Sequence, residues 1–321
     1  MKILNGFEAE SIRQAVDVLA AGGVVAFPTE TVYGLGADAL NPYAVAKIFE
    51  IKRRPTFDPL IIHIADLHSI DGIAECVPAL ASRIMARFWP GPLTIILKKK
   101  DTVPDIVTAG LSTVGIRMPS HQVALDLIKA LGHPIAAPSA NPFGYISPTK
   151  VKHVVKSFSD QVPIVLDGGD SRLGIESTII SVIDNRVTVH RHGAIPVEEI
   201  QDMGVAVEDR NKNDVCEAPG ELPYHYAPMK PLRLVNDVEE VVREDSSFLG
   251  FAEQHERPVS KHVRYLSRSG DLREAAANFF SHLIELDRED IDLIYAERIP
   301  EKGLGKAMMD RLKKAARKCA P

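Results

Sequence analysis

An α/β protein in two parts is the fold class this sequence predicts, and three observations predict it. The chain has 321 residues, and a single core rarely grows past about 250–300 residues before the chain divides. Short apolar runs alternate with amphipathic stretches over most of the chain, as α/β architecture requires. The alternation stops over residues 207–230 and then restarts.

The elements follow in order. Glu8 to Ala21 has helical spacing and ends at Gly22-Gly23. Val24 to Phe27 is a short strand stopped by Pro28. Pro42 to Arg54 reads as a helix, with Pro at its start and Pro55 just past its end. Leu60 to Ile64, Leu93 to Leu97, Val114 to Arg117 and Ile135 to Ala137 are buried-type strands, separated by helices at Ala79 to Phe88 and His121 to Leu131. Val151 to Phe158 is helical, and Ile164 to Leu166, Thr178 to Ile183 and Val187 to His190 are strands, the last two forming a hairpin around Asp184-Asn185. Together these make a mixed sheet over residues 1–206. Residues 207–230 carry a charged run and three prolines and read as a linker without regular structure. Residues 231–321 restart the rhythm. Leu232 to Val235, Phe248 to Phe251, Val263 to Leu266 and Leu293 to Tyr295 are strands, and Asp271 to Leu286 and Leu304 to Lys318 are helices. The expectation is a small parallel α/β domain.

Composition excludes several classes. Hydrophobic residues make up 45% and charged residues 25%, ordinary for a globular chain. The net charge of -5 argues against a broad nucleic-acid-binding face. Any phosphate site must therefore be a local cationic cluster. Cys76, Cys216 and Cys319 form no CxxC pair, so a zinc ribbon or a disulfide framework is not expected, and a reducing cytosol fits. No apolar run reaches the roughly 20 residues a membrane helix needs, and the N-terminus meets Glu8 too soon for a signal peptide. The expected location is the cytoplasm, with neither membrane nor DNA as partner.

Neither GxxxxGK(S/T) nor GxGxxG occurs, so a nucleotide site must be built from dispersed cations and main-chain donors. Lys52-Arg53-Arg54 reads either as cations favoured at a helix C-terminus or as a triphosphate clamp. Thr29-Glu30-Thr31-Val32-Tyr33-Gly34 follows a strand, where ligand sites of α/β sheets lie; its threonines also suit a local turn. Ser139-Ala140-Asn141, between prolines, is either a turn or a second polar lip. Ile175-Glu176-Ser177-Thr178, after a glycine-rich stretch, is open in the same way. His63, Arg117 and Arg191 interrupt or end apolar strands. A strand His is commonly a satisfied core residue, whereas a near-buried Arg needs an anion.

The order of these segments resembles one family. It runs Phe27-Pro28-Thr29-Glu30-Thr31-Val32-Tyr33-Gly34-Leu35, Lys52-Arg53-Arg54-Pro55, Trp89-Pro90-Gly91-Pro92-Leu93-Thr94, Gly115-Ile116-Arg117-Met118-Pro119, Pro138-Ser139-Ala140-Asn141, Gly174-Ile175-Glu176-Ser177-Thr178 and Arg191-His192-Gly193. It is similar to the YrdC-like domain of threonylcarbamoyl-AMP synthases. The linker Pro219-Gly220 … His225-Tyr226-Ala227-Pro228 and the ending Gly303-Leu304-Gly305 … Asp310-Arg311-Leu312 resemble the long, two-domain form. The resemblance implies a YrdC-like mixed-sheet domain over residues 1–206, a linker at 207–230 that closes over the active site, and a small Rossmann-like domain over 231–321.

It further implies a KxR pair at Lys52 and Arg54 and an SxN pair at Ser139 and Asn141, as catalytic residues. Thr31, His63, Arg117, Ala137 and Ser177 would hold threonine. Arg54, Asp58, Thr113, Ser139, Ser147 and Arg191 would surround ATP, with Tyr226 closing over the nucleotide. Mg2+ would arrive on the ATP phosphates, with no protein side chain as metal ligand. The family linker usually reads SPG followed by a Met/Lys-rich stretch. Here it reads Ala218-Pro219-Gly220-Glu221-Leu222-Pro223-Tyr224, so a basic phosphate contact from this segment is not expected, while His225 and Tyr226 remain.

The implied reaction joins L-threonine, bicarbonate or CO2, and ATP into threonylcarbamoyl-AMP and pyrophosphate. The product would pass to a tRNA threonylcarbamoyl transferase, for the adenosine next to the anticodon of ANN-decoding tRNAs, with at most weak direct tRNA contact. Such chemistry needs positioning and charge neutralisation rather than a covalent nucleophile. Alternatives are an RNA-binding module, disfavoured by the net charge, and a carbamoyl-transfer enzyme sharing the domain, disfavoured by the lack of CxxC pairs. A dinucleotide enzyme would need a third glycine at Gly303-Leu304-Gly305, in a fingerprint that here comes too late in the chain.

Overall fold

The computed structural model describes residues 1–211, 218–220, 225–253 and 258–317. The first domain comprises β1 (Lys2–Asn5), α1 (Ala9–Ala20), β2 (Val25–Phe27), β3 (Gly34–Asp38), α2 (Pro42–Lys52), β4 (Ile61–His63), α3 (Ala79–Phe88), β5 (Leu93–Lys98), α4 (Asp105–Thr108), β6 (Thr113–Arg117), α5 (Gln122–Leu131), β7 (Ile135–Ala136), α6 (Val151–Phe158), β8 (Ile164–Asp167), β9 (Thr178–Ile183), β10 (Arg186–Arg191), α7 (Val197–Gln201) and β11 (Val207–Asp209). Local chemistry explains several boundaries. The Asn41 side chain accepts the N–H groups of Tyr43 and Ala44 and starts α2, with Pro42 in its first turn. Arg53, at φ 51°, ends it in the left-handed region.

The strands form one mixed sheet in the order β1-β8-β2-β3-β7-β4-β6-β5-β9-β10-β11. Alternation along β2 separates two cores: Val25 and Phe27 face α1 and α5, and Ala26 faces the larger cluster on the opposite side. Two strands differ from expectation. β1 is a mostly exposed edge strand with little apolar content. β3 contains two glycines and reads as a turn. Its Gly36 is there because a Cβ would lie 2.6 Å from the Phe27 ring and 2.7 Å from Ile135 Cγ2. The linker also starts later than residue 207, because β11 pairs in parallel with β10. Its Glu221–Tyr224 stretch, including Pro223, lies outside the described residues, as do Cys216 and Cys319.

The second domain comprises β12 (Leu232–Val235), β13 (Ser246–Ala252), β14 (His262–Ser267), α8 (Leu272–Leu286), β15 (Leu293–Glu297) and α9 (Leu304–Arg317). Its strands are all parallel, as the sequence predicts, and lie in the order β12-β15-β13-β14. Its core does not stop at the domain boundary. Val32, Ile146 and Ile175 of the first domain, and Tyr226 of the linker, join the cluster of α8 and α9. Val32 directly follows Thr31, so the second domain is packed against a candidate site segment.

Candidate functional site

The sheet order sets the site residues in a row. Ala137 follows β7, His63 ends β4, Arg117 ends β6, Thr94 lies in β5, Ser177 precedes β9 and Arg191 ends β10. At about 4.8 Å per strand the row spans on the order of 20 Å. His63 and Arg117 are register partners on parallel strands and so stand side by side. A bulge between Val189 and Arg191 re-aims Arg191 toward Ser177. Thr31, His63, Arg117, Ala137, Ser177, Arg54, Ser139, Arg191 and Tyr226 line one cavity.

At one end of the row the polar groups are already organised. Thr29 Oγ1 donates to the Val32 carbonyl at 2.7 Å, so the 2.8 Å contact between the two threonine hydroxyls is donated by Thr31. Thr31 Oγ1 is thereby left as an acceptor facing the cavity. Burial, reinforced by the Arg117 charge, pushes the His63 ring down to about 3. Its Nδ1 has no partner among the described residues. A neutral imidazole with so low a pKa positions a ligand; it is a poor base near neutrality. Arg117 is buried, and the anion it needs is Glu30, 2.8 Å away and equally buried. Sequence reasoning gave Glu30 no role, although it lies within the quoted motif.

At the other end the cations divide into paired and unpaired. Arg54 faces Asp58 at 2.9 Å and donates to the Asp58 and Pro59 carbonyls. Arg191 donates only to oxygens of neutral groups: the Ser177 carbonyl and hydroxyl, and the Pro219 carbonyl. Burial lowers its pKa from the ordinary arginine value. Among the described residues it has no carboxylate within ion-pair distance, which leaves it the cation best placed to receive a phosphate.

Lys52 departs from expectation. It does not project as a surface cation at a helix end: it is 1% exposed. Its ammonium donates to the Ser139 carbonyl at 2.5 Å and to the Asn141 carbonyl. Burial first, and the neighbouring Arg54 charge second, push it well below the ordinary lysine value, against the pull of Asp58. Lys52 therefore holds the loop that presents Ser139. Asn141 is likewise turned onto its own loop, donating to the Pro142 and Tyr145 carbonyls. Three further expected ATP residues lie off the cavity wall. Asp58 neutralises Arg54, Ser147 donates to Glu176 at 2.6 Å, and Thr113 stands at the start of β6, four residues before Arg117.

The roof comes from the linker and the second domain. His225 and Tyr226 are buried, and their rings lie 4.1 Å apart. Tyr226 has φ 64° and stacks on Phe280 of α8. The Arg311 guanidinium of α9 sits 5.0 Å over its ring and, from 3.2 Å, pairs with Glu176, the residue before Ser177. Burial opposes the Arg311 charge, but Tyr226, Glu176 and Asp310 outweigh it and raise the pKa. Burial pushes the Tyr226 hydroxyl up to about 12. Gly220, at φ +88°, is needed beneath it, because a Cβ there would lie 2.3 Å from the Tyr226 oxygen. Arg311 carried a readable signal, since it falls on the apolar stripe of Ala307, Met308, Leu312 and Ala315.

The Sua5/YciO/YrdC family profile, described as telomere recombination, matches residues 17–193, and the profile of the threonylcarbamoyl-AMP synthase C-terminal domain matches 195–317. The chain belongs to the Sua5/YciO/YrdC family. It is 41% identical to the threonylcarbamoyl-AMP synthase of Pyrococcus abyssi, covering 98% of this chain and 97% of that protein. It is 40% identical to that of Bacillus subtilis, over 95% and 92%. The crystal structure of P. abyssi Sua5 complexed with L-threonine superposes with a TM-score of 0.91, at 39% identity and 98% coverage of both chains. No described helix is long and apolar enough to cross a membrane.

Proposed function

We propose that this chain is a threonylcarbamoyl-AMP synthase, condensing L-threonine, bicarbonate or CO2, and ATP with release of pyrophosphate. The observation that carries the reading is the row itself. One cavity joins Thr31, His63, Arg117 and Ser177, suited to a zwitterionic hydroxy amino acid, to Arg54 and Arg191. Arg117 offers the threonine carboxylate the edge of its guanidinium not held by Glu30, and Thr31 Oγ1 accepts from the amine or hydroxyl.

The neutral threonine amine adds to CO2 and sheds one proton to solvent, giving an N-carboxylate. That carboxylate attacks the α-phosphorus, the bond to the bridging oxygen breaks, and pyrophosphate leaves with the electron pair. Arg191 and Arg54 stabilise the charge that develops on the phosphates, and no protein nucleophile takes part. Mg2+ enters on ATP as part of the substrate. The cavity encloses only about 50 Å3 beneath its roof, against roughly 300–1,000 Å3 for a typical ligand pocket. ATP therefore enters when Tyr226 and His225 lift, and their return excludes water from the reactive product. The work is cytosolic, and the product is handed to a tRNA threonylcarbamoyl transferase, with at most weak contact to tRNA itself.

Exchange of labelled pyrophosphate into ATP tests the reading. Exchange should require threonine and bicarbonate together. Exchange that proceeds equally without threonine would overturn the assignment.

A further inference from the structure

One large feature takes no part in this chemistry. A second cavity, of about 460 Å3, lies where the end of α2, the loop after Asn141 and α6 meet Met229 and α8. That volume falls within the range of about 300–1,000 Å3 usual for small-molecule sites. The Phe143 ring stands in its wall and also meets His225 at 5.8 Å and Arg54 at 6.0 Å, both wall residues of the first cavity.

Two exposed cations on its walls, Arg53 and Lys156, lack protein partners among the described residues, and a buried histidine stands behind them. His153 is 4% exposed, and its Nδ1 accepts the Thr149 N–H at 3.3 Å. In the neutral ring the other nitrogen then carries the hydrogen; that Nε2–H is shielded from the cavity and has no acceptor among the described residues. Burial, with Lys152 and Lys150 nearby, holds the ring neutral by pushing it down to about 4. A buried donor left unmet costs about 1–3 kcal/mol. Arg53 and Lys156 line the same cavity, and neither has an ion-pair or side-chain hydrogen-bond partner among the described residues. The single acid on the described walls, Asp287, is engaged, accepting the Met229 N–H at 2.7 Å and the Lys230 N–H at 3.0 Å. Arg53 and Lys156 therefore outnumber the one carboxylate, leaving a net positive charge beside the apolar surfaces of Ile51, Ile146 and Ile284.

We propose that this cavity binds a small organic anion, a phosphate or carboxylate carried on an apolar or aromatic body. Arg53 and Lys156 are its donors, and the isoleucine-lined wall receives the body. The site is separate from the synthase cavity and does not depend on the activity assigned there.

Methyl NMR of the full chain, labelled at isoleucine, tests this with the first cavity filled by threonine and a non-hydrolysable ATP analogue. The probe is anilinonaphthalene sulfonate, an aromatic anion. It should shift the Ile51, Ile146 and Ile284 methyls saturably. The uncharged parent anilinonaphthalene should bind about tenfold more weakly, as should the sulfonate to the Arg53→Gln/Lys156→Gln variant, each a loss of about 1.4 kcal/mol. Inorganic phosphate alone should bind weakly, because it lacks the body. Unmoved methyls, or equal binding of the uncharged parent and equal binding by the variant, would overturn the proposal.

Discussion

The floor and the roof of the synthase cavity are built on different principles. The floor is a row of strand ends in one sheet, where register places His63 beside Arg117 and sheet order carries the line on to Ser177 and Arg191. Its charges are neutralised locally, as Glu30–Arg117 and Arg54–Asp58. The roof is a short stretch of linker held from above by the second domain, through Arg311 and Phe280. We infer from the difference that the first domain shapes the substrate site while the second supports its closure. Floor substitutions should act on substrate affinity and on folding. Roof substitutions should act on turnover.

The largest expected effect lies where floor and roof meet. Arg191→Ala removes the group that joins Ser177 to Pro219 and a buried cavity cation that has no carboxylate partner among the described residues. We expect a loss of about a hundredfold or more in kcat, comparable to removing one transition-state donor, with ATP dependence disturbed more than threonine dependence. Steady-state kinetics decide this, and a variant within twofold of the parent would move the phosphate site elsewhere.

The next effect is on stability and belongs mainly to the floor. Burial, reinforced by the Arg117 charge, holds His63 in the folded protein far below the ordinary histidine value of about 6.5. The unfolded chain therefore takes up the proton first as pH falls. The contribution of His63 is complete above pH 6.5 and is lost progressively toward pH 3. Between pH 6.5 and about pH 5 the loss is about 2 kcal/mol. His225, buried at the roof and lowered in the same direction, adds its own share. Denaturant melts of the parent and of His63→Gln should show a shallower pH slope in the variant; identical slopes would mean that His63 is not neutral and buried.

Glu30→Gln should come third. It removes the negative partner of Arg117 but keeps its shape, so the guanidinium is no longer fixed in place. We expect the threonine KM to rise about tenfold, near 1.4 kcal/mol, with the ATP KM unchanged. An equal rise in both would erase the distinction between the two ends of the row. Arg117→Ala is a poorer probe of positioning, since it removes the proposed threonine contact itself as well as stranding Glu30.

The smallest expected effect is at the roof. Arg311→Lys keeps the charge near Glu176 but loses the planar face over Tyr226. A decrease in kcat of about three- to fivefold, under 1 kcal/mol, with threonine KM unchanged, would support closure as the role of the second domain. A change in threonine KM alone would contradict it.

Much of this was legible in the sequence, for physical reasons that also mark where legibility stopped. The four parallel strands and two long helices of the second domain follow from apolar period alone. So does the strand end at Arg117, because a polar residue closing an apolar run is conspicuous; the sequence puts His63 one residue inside its strand and Arg191 one residue past its own, whereas they end β4 and β10. β3 was hidden by the close packing that demands Gly36. Lys52 was misplaced because a helix-end cation ordinarily reaches water, whereas here the chain returns over the helix end: the Phe143 N–H donates to the Lys52 carbonyl at 2.9 Å. The partners that settle the charges come from far along the chain. Glu176 meets Arg311 across 135 residues, and neither local pattern nor propensity announces such a pair.

The central claim is that carbon from bicarbonate is joined to threonine before the adenylate forms. Mass spectrometry of the nucleotide product made from bicarbonate labelled with heavy carbon tests it most directly. The account predicts an adenylate that contains threonine and carries the label in every molecule, formed together with pyrophosphate. An adenylate of threonine without the label would show that the chain activates the amino acid itself, and would contradict the account.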